Sequence, residues 1–82
     1  MSYFLIEVYA PRSTDVTELE AAARVAAREA SGVRYVESIY VSEDETCFHL
    51  FEAPSRVAVS RAANAAPMAV QRVVRACRRG CS

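Results

Sequence analysis

One stretch, residues 43–55 with the sequence EDETCFHLFEAPS, constrains the fold of this chain more than any other. It begins with a polar run, Glu43-Asp44-Glu45, that separates two apolar segments and therefore predicts a turn. The following segment, Thr46–Glu52, is rich in β-branched and aromatic residues, which predicts a strand of a half-buried sheet. Pro54 lacks the backbone N–H that a strand ladder needs, and Ser55 is a good N-cap. This stretch therefore predicts a turn, a strand and the start of a helix in succession.

The rest of the chain alternates between strand and helix patterns. The first segment alternates with period two, and from Val16 the apolar residues recur at helical spacing after a D-x-x-E capping signal. In chain order we predict a strand at Tyr3–Ala10, a helix that starts at Val16 and is stopped by Gly32, strands at Arg34–Val41 and Thr46–Glu52, a helix at Arg56–Asn64 and a strand at Ala69–Ala76. With right-handed crossovers, this βαββαβ order predicts a ferredoxin-like α+β fold, in which a four-stranded antiparallel sheet carries both helices on one face.

Length and charge limit the classes of function. The 82 residues are enough for one domain, predicted at residues 1–76, with a disordered tail at 77–82. Ten basic and ten acidic residues give a net charge of zero, which argues against a nucleic-acid or membrane partner. The apolar start is interrupted by Glu7 and Pro11, so we expect neither a signal peptide nor a membrane span. Three cysteines form no even disulfide framework, and we expect a cytoplasmic protein with reduced thiols.

The pairing of the strands assigns two faces to the predicted sheet. If odd positions of the second strand pair with odd positions of the third, the even positions form the more apolar face, which should meet the helices. That even face comprises Phe4, Ile6, Val8, Val36, Tyr40, Phe48 and Leu50. The odd face stays open and carries Tyr3, Leu5, Tyr9, Tyr35, Ile39, Val41 and Phe51. So much exposed apolar surface predicts a homodimer through the open sheet face, of the dimeric α+β-barrel type.

The predicted open face also carries polar side chains that are potential metal ligands. Glu7, Glu37 and His49 are all at odd positions of neighbouring strands. Imidazole and carboxylate together suit borderline divalent ions such as nickel and zinc. This pattern predicts a metal site made of His49, Glu7 and Glu37. The other interpretation is that the glutamates pair with arginines and that His49 packs with a satisfied ring nitrogen.

The cysteines offer a second candidate site. Cys77 and Cys81 form a C-x-x-x-C pattern on a basic tail, where neighbouring arginines favour the thiolate that binds metals. The simpler interpretation is a tail with incidental cysteines, and Cys47 fits a small buried residue of a strand. The sequence has no nucleophile–base–orienter pattern, no P-loop and no dinucleotide-binding motif.

The segment Ser38–Ser55, SIYVSEDETCFHLFEAPS, carries a resemblance to a known family. Together with the opening strand, the long helix and the proline before the last strand, it resembles the small actinobacterial nickel-binding proteins. The resemblance implies a ferredoxin-like dimer whose sheets face each other, and nickel as the bound ion. The chain departs from it at Ala65-Ala66, where a glycine tends to precede the proline, and at Ser60-Arg61-Ala62, where some members have a histidine.

Two functions from different classes fit these observations. The first is a small dimeric protein that binds nickel or a similar divalent ion near the space between the sheets. The alternative is a small dimeric α+β-barrel enzyme, of the cofactor-free monooxygenase, cyclase or isomerase kind, that acts on an organic ligand in the same space. In an enzyme, Tyr9, Tyr35 and His49 are the acid–base candidates. A polar cavity favours the metal, and an enclosed apolar cavity favours the organic ligand. A purely structural interaction module is a third possibility.

Overall fold

The structure, a computed structural model, describes residues 1–78. In chain order the elements are β1 (Ser2–Tyr9), α1 (Val16–Glu29), β2 (Arg34–Val41), a 3-10 turn (Ser42–Asp44), β3 (Thr46–Ala53), α2 (Arg56–Asn64) and β4 (Val70–Ala76). The strands form one antiparallel sheet in the order β2-β3-β1-β4, and residues of both helices join one buried core with one face of this sheet. The predicted ferredoxin-like α+β fold is confirmed. Cys81 lies outside the described residues, and the disordered tail at 77–82 stays a prediction.

The helices begin at the residues that the capping signals indicate. Asp15 precedes α1, and its carboxylate accepts a hydrogen bond from the backbone N–H of Thr17 at 2.8 Å. Ser55 precedes α2, and its hydroxyl accepts from the N–H of Ala58 at 3.2 Å. Each cap satisfies one backbone donor that the first helical turn leaves without a partner. None of the helices in residues 1–78 is long and apolar enough to cross a membrane.

The pairing of β3 differs from the prediction and exchanges the two faces of this strand. The turn between β2 and β3 occupies residues 42–45, so that Val41 lies opposite Thr46 and odd positions face even ones. On the other side of β3, Ile6 of β1 lies opposite His49. Because paired residues share a face, the even positions of β1 point to the same side as the odd positions of β3.

The helix-facing core therefore combines residues from both predicted faces. β1 contributes Phe4, Ile6 and Val8, as predicted. From β3 the fully buried side chains are Cys47, His49, Phe51 and Ala53. Phe48 and Leu50 were expected to meet the helices. They lie instead on the open face, since they pair with Glu7 and Leu5 of β1.

A bulge in β2 moves Tyr35 as well. Tyr35 pairs with Phe51 whereas Glu37 pairs with Leu50, so β2 advances two residues where β3 advances one. The extra residue is Val36, and bulges of this kind reorient the side chains around them. Tyr35 consequently packs against the core, and Glu37 points to the open face. The prediction that Tyr35 lies on the open face is therefore wrong.

The open face of the sheet remains broadly apolar after these corrections. Its apolar side chains are Tyr3, Leu5, Ile39, Val41, Phe48, Leu50 and Val74. Ile39 is 56% exposed, and no element among residues 1–78 covers this side of the sheet. The prediction of an uncovered apolar face is correct, although Tyr35 and Phe51 lie on the helix side instead. Phe48 and Leu50 take their place on the open face.

Candidate functional site

His49 lies in the middle of β3, and its side chain has no solvent exposure. Its Nδ1 atom is 2.6 Å from the hydroxyl oxygen of Ser38, which is the residue opposite it on β2. The same hydroxyl is 2.5 Å from the phenol oxygen of Tyr35. We call these three residues, Tyr35, Ser38 and His49, the His49 relay. The relay links the imidazole to both sides of the bulge in β2.

The rest of the imidazole is enclosed by sulfur and aromatic rings. The thiol sulfur of Cys47 is 3.9 Å from Nε2 and 4.0 Å from Nδ1, so it contacts the ring only weakly. The rings of Tyr35 and Phe51 meet the imidazole edge-on, with centroids 6.3 and 6.4 Å away. The imidazole is thus a core side chain with one strong hydrogen bond.

Burial determines the charge of both titratable groups at this position. Desolvation lowers the pKa of His49 from 6.5 to about 4, because the core penalises the imidazolium. Desolvation also raises the pKa of the Cys47 thiol, and the negative charge of Glu20 adds to this effect. At neutral pH the pair is therefore a neutral imidazole beside a protonated thiol. The imidazole is in the protonation state that binds metals, whereas the thiol is not.

The two predicted carboxylate ligands lie on the other side of the sheet. Glu7 pairs with Phe48 across β3 and with Arg72 across β4, and Arg72 Nε donates to its carboxylate at 3.1 Å. Glu37 is exposed on the same open face. Glu7 and Glu37 thus share a face as predicted, but the sheet itself separates them from His49. Glu7 and His49 therefore follow the other interpretation of the sequence, in which a glutamate pairs with an arginine and the imidazole packs in the interior.

The three residues therefore do not assemble into one metal site within a protomer. Their common face was inferred from a pairing of β3 that the four-residue turn excludes. Across residues 1–78 no three His, Cys, Asp or Glu side chains lie close enough together to hold a metal ion. Cys77 is exposed at the end of β4, and its predicted partner Cys81 lies beyond the described part. The predicted cysteine site thus stays a prediction.

Two surface clefts in the helix layer bear on the enzyme alternative. One, of about 230 Å³, lies between the start of α1 and the start of β4 and is lined by Tyr9, Glu18, Leu19 and Met68 among others. The other, of about 290 Å³, lies between the end of α1 and α2 and is lined by Glu29, Ala30, Ser31, Ala58 and Arg61. Neither cleft reaches the Ser38–His49 pair, the one hydroxyl–imidazole contact that resembles a nucleophile and its base. The clefts thus give the enzyme alternative no support.

Sequence reasoning missed Ser38, because its role depends on register. The available signal was a small hydroxyl residue inside a strand. A four-residue turn places this position opposite the only histidine. A buried imidazole needs a hydrogen-bond partner, and Ser38 is the partner that the fold supplies.

Comparison with known proteins places the chain in a family. Residues 4–75 match the family described as "Nickel responsive protein SCO4226-like". This chain belongs to the SCO4226-like family. No curated protein and no solved structure matches this chain. The family match runs from β1 into β4, so it includes the His49 relay and the open face of the sheet. The resemblance based on Ser38–Ser55 is confirmed at the level of the family, whose description gives nickel responsiveness and no ligand residues.

Proposed function

We propose that this chain is a nickel-responsive protein that binds nickel or a similar divalent ion as a homodimer. The observation that carries the proposal is the match to the SCO4226-like nickel responsive family over residues 4–75. The match covers nearly all of the folded part, so the likeness to the family includes both sides of the sheet. The open sheet face is the feature of the fold that best fits such a role.

The dimer is proposed to form through the open face. The centre of this face is apolar, with Leu5 opposite both Leu50 and Val74 in neighbouring strands. Ion pairs lie on either side of it, Arg34–Glu52 at 2.9 Å and Arg72–Glu7 at 3.1 Å. An apolar centre with a charged rim is typical of interfaces between proteins. A second copy would remove the exposed apolar side chains from water, which a single protomer leaves uncovered.

The proposal has to account for nickel without a preformed site in one protomer. Borderline ions such as nickel need several nitrogen, oxygen or sulfur donors, and residues 1–78 of a single chain do not bring three ionisable ones together. A site on the open face would therefore take donors from two copies. Glu7 and Glu37 are the predicted ligands that face this space. Arg72 forms an ion pair with Glu7, whereas Glu37 forms none among residues 1–78.

Calorimetric nickel titration of untagged protein tests the proposal, because a histidine tag would itself bind nickel. We expect saturable binding by the wild type, and an affinity lower by about tenfold or more in Glu37→Gln, since a direct ligand is lost. Glu29→Gln is the matched control, because Glu29 is also an exposed carboxylate but lies on a helix. This control should bind like the wild type.

The possible results separate the two parts of the proposal. A wild-type protein that takes up no nickel contradicts the binding function. Equal losses of affinity in Glu37→Gln and Glu29→Gln would leave the binding function standing and remove the placement of the ion on the open face.

A further inference from the structure

We infer that this chain binds its divalent ion without imidazole, and that His49 is instead a structural residue that holds the bulge of β2. The first half of this inference rests on the proposed function, whereas the second half concerns the folded chain alone. Neither half follows from the family description, which names no residue.

The only imidazole of the chain is not available to an ion at the surface. The chain contains one histidine, and that side chain is fully buried. Its Nδ1 is engaged by Ser38, and its Nε2 faces the thiol of Cys47. An ion that reached Nε2 would have to open the core between the sheet and the helices. The thiol next to Nε2 is protonated, and residues 1–78 contain no group of three ionisable donors that could hold the ion.

The same contacts give His49 a role in shaping β2. This strand is at the edge of the sheet, so that within residues 1–78 β3 is its only strand neighbour. Edge strands have fewer contacts to fix their register. The relay ties Tyr35 and Ser38, which lie on either side of the extra residue Val36, to the imidazole of β3. The guanidinium of Arg24 lies 5.1 Å from the centre of the Tyr35 ring and packs over it from α1. The relay thereby keeps Tyr35 in the core and leaves Glu37 on the open face.

The consequence for function is a restricted set of donors. Without imidazole, the ligands of a divalent ion in this chain are carboxylates, backbone carbonyls, waters or thiols. Imidazole is a preferred ligand of nickel, copper and zinc, so a site that lacks it discriminates less strongly in favour of these ions. We therefore expect this chain to respond to nickel with weaker selectivity than a site built on histidine.

The first test is an NMR titration of the full chain with nickel. Nickel bound in a six-coordinate oxygen-rich site is paramagnetic, and signals of a ligating imidazole would broaden strongly or disappear. We expect the ring signals of His49 to persist when calorimetry shows saturation, and the His49→Asn variant to bind nickel within about twofold of the wild type. Loss of the ring signals at saturation, or loss of affinity in a folded His49→Asn protein, would overturn the first half.

The second test is amide hydrogen exchange without any metal. In His49→Asn and in Ser38→Ala, we expect β2 amides to exchange about tenfold faster or more, while β1 amides change less. Cys47→Ala is the matched control, because Cys47 is buried on the same face of the same strand, contacts the imidazole only weakly and forms no hydrogen bond to Tyr35 or Ser38. If β2 is as protected in His49→Asn as in the wild type, or if Cys47→Ala has the same effect, the structural role is overturned.

The two tests distinguish the inference from the proposed function. A wild-type chain that binds no nickel ends the proposed function and the first half with it, and exchange in β2 still decides the second half. A chain that binds nickel through His49 keeps the proposed function and ends the inference.

Discussion

At the scale of single residues, the buried imidazole makes stability depend on pH. The pKa of His49 is about 4 in the folded chain and near 6.5 when unfolded, so the unfolded chain binds more protons between these values. The free energy of unfolding therefore falls as the pH drops from 6.5 towards 4, by up to about 3 kcal/mol from this residue. Urea melts at pH 7, 5.5 and 4.5 measure the slope.

The control for this prediction is His49→Asn, whose side chain does not titrate. Carboxylates of the folded chain contribute to acid destabilisation in both proteins, so only the difference between the two slopes reports the imidazole. Parallel slopes would mean that His49 is not desolvated in solution.

Two phenylalanines of β3 should differ in their contribution to stability because they lie on opposite faces. Phe51 is fully buried and packs against Tyr35, with ring centroids 5.6 Å apart. Phe51→Ala should lower the free energy of unfolding by about 3–5 kcal/mol, since it opens a cavity in the core. Phe48 is partly exposed on the open face, and Phe48→Ala should cost less than about 2 kcal/mol in dilute protein. Urea melts of both variants measure this, and the reverse order would contradict the pairing of β3.

At the scale of elements, local signals predicted where each strand and helix lies but not which way β3 faces. The bounds of β2 and α2 agree with the prediction, because turn residues and a serine cap mark their ends. In β3 both faces are apolar, with Cys47 and Phe51 on one side and Phe48 and Leu50 on the other. Alternation therefore does not choose between the faces, and the length of the turn decides.

The site could not be predicted for the same reason. The contact between Ser38 and His49 exists only in the register that the four-residue turn sets, and Tyr35 reaches it only because of the bulge at Val36. Neither the turn conformation nor the bulge has a strong sequence signal here, since Glu45 adopts the left-handed region without being a glycine. Glu7 and Glu37 were placed on the correct face, because the facing of β1 and of the part of β2 after the bulge was predicted correctly.

The connection from α1 to β2 depends on the backbone of Gly32. Its φ of +80° lies in the left-handed region, which costs a residue with a side chain about 1–2 kcal/mol. A Cβ atom there would lie 3.7 Å from the Pro54 ring, which is an ordinary contact, so the expected cost comes from the backbone alone. Gly32→Ala should lower the urea midpoint accordingly. Ser31 is an exposed neighbouring residue without a positive φ, and the free energy of unfolding of Ser31→Ala should stay within about 0.5 kcal/mol of the wild type. A similar loss of stability in both variants would mean that the cost comes from changing the loop in general.

At the scale of the whole molecule, the two sides of the sheet differ in the residues that they carry. The helix side contains the hydrophobic core and the only imidazole, whereas the open side carries exposed apolar residues together with Glu7 and Glu37. Association is one way in which small domains gain stability, and the open side is the surface that the proposed second copy would cover. If nickel acts on this chain through the open side, association and ion binding depend on the same surface.

The test of that surface compares two exposed apolar residues on opposite sides of the molecule. Ile39 is 56% exposed on the open face, and Val57 is 59% exposed on α2. Ile39→Glu should convert a dimer into a monomer, because an unpaired carboxylate in an apolar interface costs several kcal/mol. The monomer should stay folded, because this position is exposed in the free protomer and tolerates a charge there. Val57→Glu should leave the dimer intact, since the helix layer is not expected to face a partner. Sedimentation velocity at micromolar concentration, with circular dichroism as the check on folding, measures both variants. If the wild-type protein sediments as a monomer, the proposed interface does not exist. If only Val57→Glu dissociates the dimer, the interface lies on the helix side.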